Sequence, residues 1–295
     1  MNRHIIKLLR PQQWLKNAFV FAPLFFDRHT TDWHYAGPCI VACLAFCLAA
    51  SGIYCLNDIR DAEADRLHPV KRMRPVACGA VGIRVAYATM VAAWVTAFVL
   101  IALSASFLRG GGLLAATLLL YIVMNVAYCL KLKQIAVLEV IFIAIGFVLR
   151  IVAGGLASGI TISHWMVLTT FLLALFLALA KRRDDVAIYK TSGIKARRNV
   201  ERYNMEFLDA AIGILGSATI MCYILYTVSD EVVARLGCRH LYATSGFVLA
   251  GILRYMQLTF VDKESSSPTK VLLHDRFIQV CVVGWIAAFA VILYW

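Results

Sequence analysis

At 295 residues, 61% hydrophobic and 16% charged, with a mean hydropathy of +0.76, the chain carries more apolar surface than a water-soluble fold needs. A net charge of +12 concentrated beside apolar segments orients a membrane protein rather than binding nucleic acid, so no nucleic-acid partner is expected. Nine cysteines without CxxC or paired spacing support neither a zinc site nor a disulfide framework.

Windows of about 20 apolar residues predict nine membrane spans. The basic N-terminus lacks a small-residue cleavage site and leads into the first span, 13–27, so no cleavable signal peptide is expected. That span is short and opens on Lys16 and Asn17 beside Trp14, a residue typical of membrane interfaces. Span 35–57 places Cys39, Cys43 and Cys47 at i, i+4 and i+8, a face of small packing residues. Spans 83–106 and 112–130 meet at Gly110-Gly111-Gly112, a tight hairpin between antiparallel helices. Span 134–158 carries Arg150 well inside the membrane, where a charge needs a partner or a cavity; an acid or carbonyl partner is expected. Its Gly155-xxx-Gly159 suits close helix packing. Spans 163–181, 207–229, 240–261 (with Arg254) and 273–294 complete the chain.

Charge sets the orientation. With the N-terminus cytoplasmic, one side holds 23 of the 29 Lys and Arg and the other holds four, leaving Arg150 and Arg254 inside. By the positive-inside rule this predicts a cytoplasmic N-terminus and an extracytoplasmic C-terminus, in agreement with nine crossings.

Two cytoplasmic loops, 58–82 and 181–206, carry the chemistry. The first opens on Asn57-Asp58-Ile59-Arg60-Asp61-Ala62-Glu63-Ala64-Asp65-Arg66. Asp58, Asp61 and Asp65 at i, i+3 and i+7 share one helix face, with Asn57 a turn behind Asp61. Converging carboxylates repel unless a cation lies between them, and hard oxygen ligands at a membrane edge suit Mg²⁺ shared with a diphosphate. A calcium loop is excluded, because the central Gly and terminal Glu are missing. Arg66, His68, Lys71, Arg72 and Arg74 follow, stiffened by Pro69 and Pro75, and offer counter-charge to phosphate. The loop after span 4 adds Tyr128, Lys131 and Lys133. The second large loop holds Lys181, Arg182, Arg183, Asp184, Asp185, Tyr189, Arg198 and Tyr203; its eight Lys and Arg orient the protein in any case and could hold a second phosphate.

These residues resemble the UbiA-type intramembrane prenyltransferase superfamily: Asn57-Asp58-xx-Asp61-xxx-Asp65 after span 2, a second polar loop after span 6, and nine spans. The finer resemblance is to its phosphoribosyl-transferring branch. It rests on the run from Arg10-Pro11-Gln12-Gln13-Trp14 to Leu15-Lys16-Asn17, the basic run after Asp65, Tyr128 with Lys131, and Gly146-Phe147 with Arg150 and Gly154. A departure from prenyl-diphosphate enzymes is Lys181-Arg182-Arg183-Asp184-Asp185, where a second DxxxD-like motif is usual. More bases there favour a ligand with an extra anionic group.

The resemblance implies an all-α membrane protein, a single domain over 1–295 in the inner (plasma) membrane. Nine transmembrane helices form one bundle around a central cavity open to the cytoplasm and laterally to lipid. It implies Mg²⁺-dependent transfer of 5-phosphoribose from phosphoribosyl diphosphate to a polyprenyl phosphate. Asn57, Asp58, Asp61 and Asp65 would hold the metal, with the three aspartates catalytic. Lys16, Asn17, Asn57, Arg66, His68, Lys71, Arg72, Arg74, Tyr128, Lys131, Lys181, Arg182, Arg183, Asp184, Tyr189, Arg198 and Tyr203 would bind substrate. Membrane lipids are the remaining partners, and a homo-oligomer is open. The alternatives are a polyprenyltransferase with an allylic diphosphate and a small acceptor, or a lipid carrier or scaffold without turnover.

Overall fold

The computed structural model describes residues 2–67, 71–193, 199–262 and 268–294, and every regular element among them is helical. In chain order these are α1 (Asn2–Leu9), a 3-10 helix (Pro11–Phe21), α2 (Ala22–Phe26), α3 (Trp33–Leu67), α4 (Ile83–Leu103), α5 (Gly111–Leu130) and α6 (Leu138–Ser158). Then come α7 (His164–Ser192), α8 (Met205–Val228), α9 (Asp230–Leu236), α10 (Ser245–Gln257) with a π-helical turn (Leu258–Asp262), α11 (Pro268–His274) and α12 (Arg276–Tyr294).

Seven helices among the described residues are long and apolar enough to cross a membrane: α3 to α8 and α12. The other two expected spans take tighter or looser windings. Pro11 and Pro23 remove amide donors from the first, which runs as a 3-10 helix followed by the five-residue α2. The eighth is the 13-residue α10 and its π turn.

Both functional loops begin later than hydropathy suggests. The 35-residue α3 continues through the acidic run to Leu67, because Asp, Glu, Ala and Arg are tolerated in a helix. At about 1.5 Å per residue it is roughly 52 Å long, longer than a hydrocarbon core of about 30 Å. Likewise α7 runs to Ser192 and stops where Gly193 turns left-handed at φ 69°. Expected loop positions 58–67 and 181–192 are therefore helical.

The helices gather into two compact units, Met1–Leu132 with Gly146–Ile162, and Lys133–Ile145 with Ser163–Trp295. In the first, α4 lies along α3, and small residues set the approach. A Cβ on Gly52 would lie 2.2 Å from Trp94 Nε1, which donates to the Ala49 carbonyl at 3.1 Å. A Cβ on Gly154 would lie 1.9 Å from the Val20 carbonyl oxygen, so α6 and the 3-10 helix meet backbone to backbone. The cysteine face joins this packing: Cys39 donates to the Gly154 carbonyl and Cys43 to that of Asn17. The second unit is built on Phe176, Leu208, Ile212, Ile252 and Tyr255.

Candidate functional site

The N-terminal arm reaches the acidic end of α3 through its own anchors. Leu8 is buried, Trp14 Nε1 donates to Ser51 Oγ at 3.0 Å, and Ser51 donates to the Leu9 carbonyl at 2.8 Å. Between these anchors Arg10 adopts φ 52°, a left-handed conformation uncommon outside glycine. That turn sends its guanidinium over the Tyr54 ring, 5.0 Å from the centroid, and onto Asp58 Oδ1. Arg10 belongs to the Arg-Pro run noticed in the sequence, but nothing local ties it to Asp58, 48 residues away.

Asp58 is 1% exposed, and its Oδ2 has no hydrogen-bond partner among the described residues. One helix face carries it and Asp65 toward a common cation: Arg74 Nη1 lies 2.6 Å from Asp65 Oδ2 and 3.6 Å from Asp58 Oδ1. Asp61 sits between them on α3, half-buried. Asn57 Oδ1 accepts weakly from Cys129 at the end of α5, 3.9 Å away. The turn after α3 returns the bases to this end, with Arg66 Nε donating to the Ala77 carbonyl at 3.2 Å. Lys71 is half-buried in a 3-10 turn and Arg72 exposed; His68 lies outside the described residues. Tyr128 is half-buried and Lys131 exposed at the end of α5.

No three His, Cys, Asp or Glu side chains among the described residues are gathered closely enough to hold a metal. Arg10 and Arg74 neutralise the carboxylates instead. The donor set nevertheless fits a hard cation: carboxylate and amide oxygens on one face, with one buried carboxylate oxygen lacking a hydrogen bond.

Lys16 is half-buried on the 3-10 helix, whereas Asn17 is fully buried. Asn17 Oδ1 accepts from Arg150 Nε at 2.7 Å and its amide donates to Cys47. Arg150 also donates to the Gly146 carbonyl at 2.6 Å and to Tyr121 Oη at 2.9 Å. The intramembrane cation thus finds carbonyl, amide and phenol partners, and Asn17 joins the arm to α6 from inside.

The second unit holds its own charged cluster. Glu139, fully buried, accepts from Arg182 Nε at 2.8 Å, Asn199 Nδ2 at 2.8 Å and Tyr203 Oη at 3.4 Å. Arg182 continues to Asp185 at 3.0 Å. Tyr203 Oη accepts the amide of Val137 at 2.7 Å, whose φ of 66° is strained for a β-branched residue. Burial pushes the Tyr203 phenol above its ordinary pKa, with the Val137 amide opposing. Arg183 pairs with Asp209 at 2.5 Å, donates to the Thr259 carbonyl in the π turn at 2.7 Å, and lies over the Phe260 ring. Asp184 is buried and Lys181 half-buried on α7, and Tyr189 donates to Glu201 at 2.6 Å. Arg198 lies outside the described residues. Glu139 was not singled out from sequence, although a lone acid opening an apolar run is the type of residue that must be paired. Arg254, expected like Arg150 to need a partner, pairs with Asp275 at 2.8 Å and Asp262 at 3.5 Å.

The UbiA prenyltransferase family matches residues 19–294. The decaprenyl-phosphate phosphoribosyltransferase of Mycolicibacterium smegmatis is 33% identical over 312 aligned positions, covering 98% of this chain and 92% of the relative. That of Corynebacterium glutamicum is 33% identical over 301, covering 98% and 86%. Among solved structures, a UbiA homologue from Archaeoglobus fulgidus bound to GPP and Mg²⁺ superimposes with a TM-score of 0.70 at 19% identity, over 98% of this chain and 99% of the other.

Proposed function

Because the chain belongs to the UbiA prenyltransferase family of integral-membrane transferases, we propose that it transfers 5-phosphoribose from phosphoribosyl diphosphate to a polyprenyl phosphate and releases diphosphate. The observation that carries this reading is the end of α3, where Asp58 and Asp65 face Arg10 and Arg74 and one buried carboxylate oxygen has no hydrogen bond among the described residues. Two relatives named for that reaction, matched over at least 86% of their length, favour the phosphoribosyl donor.

Asn57, Asp58, Asp61 and Asp65 are the residues that would hold Mg²⁺, which when bound polarises a diphosphate and stabilises it as a leaving group. Arg10, Arg66, Lys71 and Arg74, with Lys16 and Lys131, bind phosphate oxygens by charge-assisted hydrogen bonds. The acceptor phosphate is already anionic near neutral pH, so attack at the anomeric carbon needs no strong general base. Displacement through an oxocarbenium-like state inverts that carbon.

The chain is oriented with its N-terminus cytoplasmic and its C-terminus outside, through nine crossings. The 11-residue 3-10 helix and five-residue α2 extend roughly 30 Å at about 2.0 and 1.5 Å per residue, enough for the first crossing.

The test is product formation by the purified chain in lipid nanodiscs, with Mg²⁺ and polyprenyl phosphate. Labelled phosphoribosyl diphosphate should yield a polyprenyl-linked phosphoribose. Incorporation only from a labelled allylic diphosphate into an aromatic acceptor would overturn the donor, and transport without turnover in Asp61→Ala as in the wild type would overturn the enzyme.

A further inference from the structure

The first unit carries a second feature at its other end. Cys129 beside Asn57 puts the C-terminus of α5 at the acidic end of α3. The 20 residues of α5 then place its N-terminus, and Arg109 before it, about 30 Å away at about 1.5 Å per residue. There the turns after α4 and α6 frame a groove of about 410 Å³, walled by Leu113, Val152, Leu156, Ile160 and Ile162, with Arg109 at its rim.

Glycines shape the groove. A Cβ on Gly110 would lie 2.7 Å from the Leu156 carbonyl oxygen, and one on Gly155 would lie 2.5 Å from Ile162 Cγ1. Gly159, at φ +76°, leaves room for the Arg109 stem, whose Cδ would be 2.6 Å from a Cβ there. The Arg109 amide donates to the Ala157 carbonyl at 3.2 Å, and its guanidinium lies 4.9 Å from the Tyr35 ring centroid. The cation is thus held in place, yet exposed, and no described carboxylate lies within ion-pair distance of it.

We propose that this groove binds an anionic glycerophospholipid, its phosphate on Arg109 and an acyl chain along the apolar wall, in the leaflet opposite the acidic end of α3. Charge complementarity selects the occupant. A planar guanidinium fork suits phosphate oxygens, the wall suits a hydrocarbon chain, and a net negative headgroup supplies the charge that no described side chain provides. A second copy is disfavoured, because a two-fold interface centred here brings Arg109 against its own symmetry mate. The site is independent of the transferase reading.

Native mass spectrometry of the delipidated full chain, offered phosphatidylglycerol or phosphatidylcholine of equal chain length, tests it. The wild type should retain phosphatidylglycerol preferentially. Arg109→Gln should lower that retention about tenfold and Arg109→Lys less, the scale of one charge-assisted phosphate contact. Circular dichroism checks the fold of both variants. Equal retention of the two lipids, or unchanged retention of phosphatidylglycerol by Arg109→Gln, would overturn the proposal. So would a dimer that Arg109→Gln dissociates, which would give the groove to a second copy.

Discussion

The two units each hold a cluster of arginines and carboxylates at a helix end, and the clusters are finished differently. In the second unit Arg182 is 3% exposed, and Glu139 takes three donors among the described residues while Arg182 continues to Asp185. In the first, Arg10 and Arg74 are 19% and 24% exposed, share Asp58, and leave its Oδ2 without a hydrogen bond among the described residues. A buried charge requires partners. In the second unit Arg182 meets two carboxylates and these pairs brace the fold, although Asn199 Oδ1 beside them has no hydrogen bond among the described residues. Where the cations stay partly solvated and one carboxylate oxygen is unmet, the cluster retains capacity for a ligand.

If completion is the distinction, the largest effect belongs to the closed cluster. Glu139→Ala leaves Arg182 buried without its main counter-charge and should destabilise the protein by about 3–5 kcal/mol, read as a lower melting temperature in nanodiscs. Folded protein recovered at low temperature should keep its turnover. A variant that melts like the wild type would break the comparison. Next comes Asp58→Asn, which preserves volume but removes the charge facing Arg10 and Arg74. Turnover should fall about 10²–10³-fold, roughly 3–4 kcal/mol, with little change in melting. Loss of the fold with activity per folded molecule retained would place both clusters in the same structural class.

A smaller effect separates the two roles within the open cluster. Arg10 occupies Asp58, so it competes with any cation for that carboxylate while also offering a phosphate contact. Arg10→Ala should therefore bind Mn²⁺ more tightly without substrate, by electron paramagnetic resonance, and show a raised KM for the proposed phosphoribosyl donor. About tenfold each way is the scale of one charge-assisted contact. Weakening of both would reduce Arg10 to a support for the arm.

How legible these clusters are in sequence follows from the distance along the chain. The face shared by Asp58, Asp61 and Asp65 is a property of ten consecutive residues and of helical period, so it can be read directly. Arg10 with Asp58, 48 residues apart, Arg182 with Glu139, 43 apart, and Arg150 with Asn17, 133 apart, are products of tertiary packing. Hydropathy marks where a membrane ends, not where a helix does. This is why α3 and α7 outrun their expected spans into the polar runs, while proline shortens the α-helical part of the first span. The ion pairs of Arg182 and Arg183 with Glu139 and Asp209 are not legible in sequence, because solvated and buried arginines are alike there.

The smallest effect concerns a pair in the second unit that is not closed. Arg254, 25% exposed, meets Asp275 between α11 and α12. The hydrogen bond from Arg254 holds the Asp275 carboxyl below its ordinary pKa, with the Ile278 amide also lowering it and modest burial opposing. A depressed carboxylate contributes stability in full above its unfolded pKa of about 3.9 and loses it as pH falls through the lower folded value. Asp275→Asn should therefore melt slightly below the wild type at pH 6–7, and the gap should close as the pH falls below about 4. Solvent screening keeps such a pair weak. A gap at pH 7 as large as that of Glu139→Ala would mean that exposure does not rank these pairs, and the distinction between closed and open clusters would lose its physical basis.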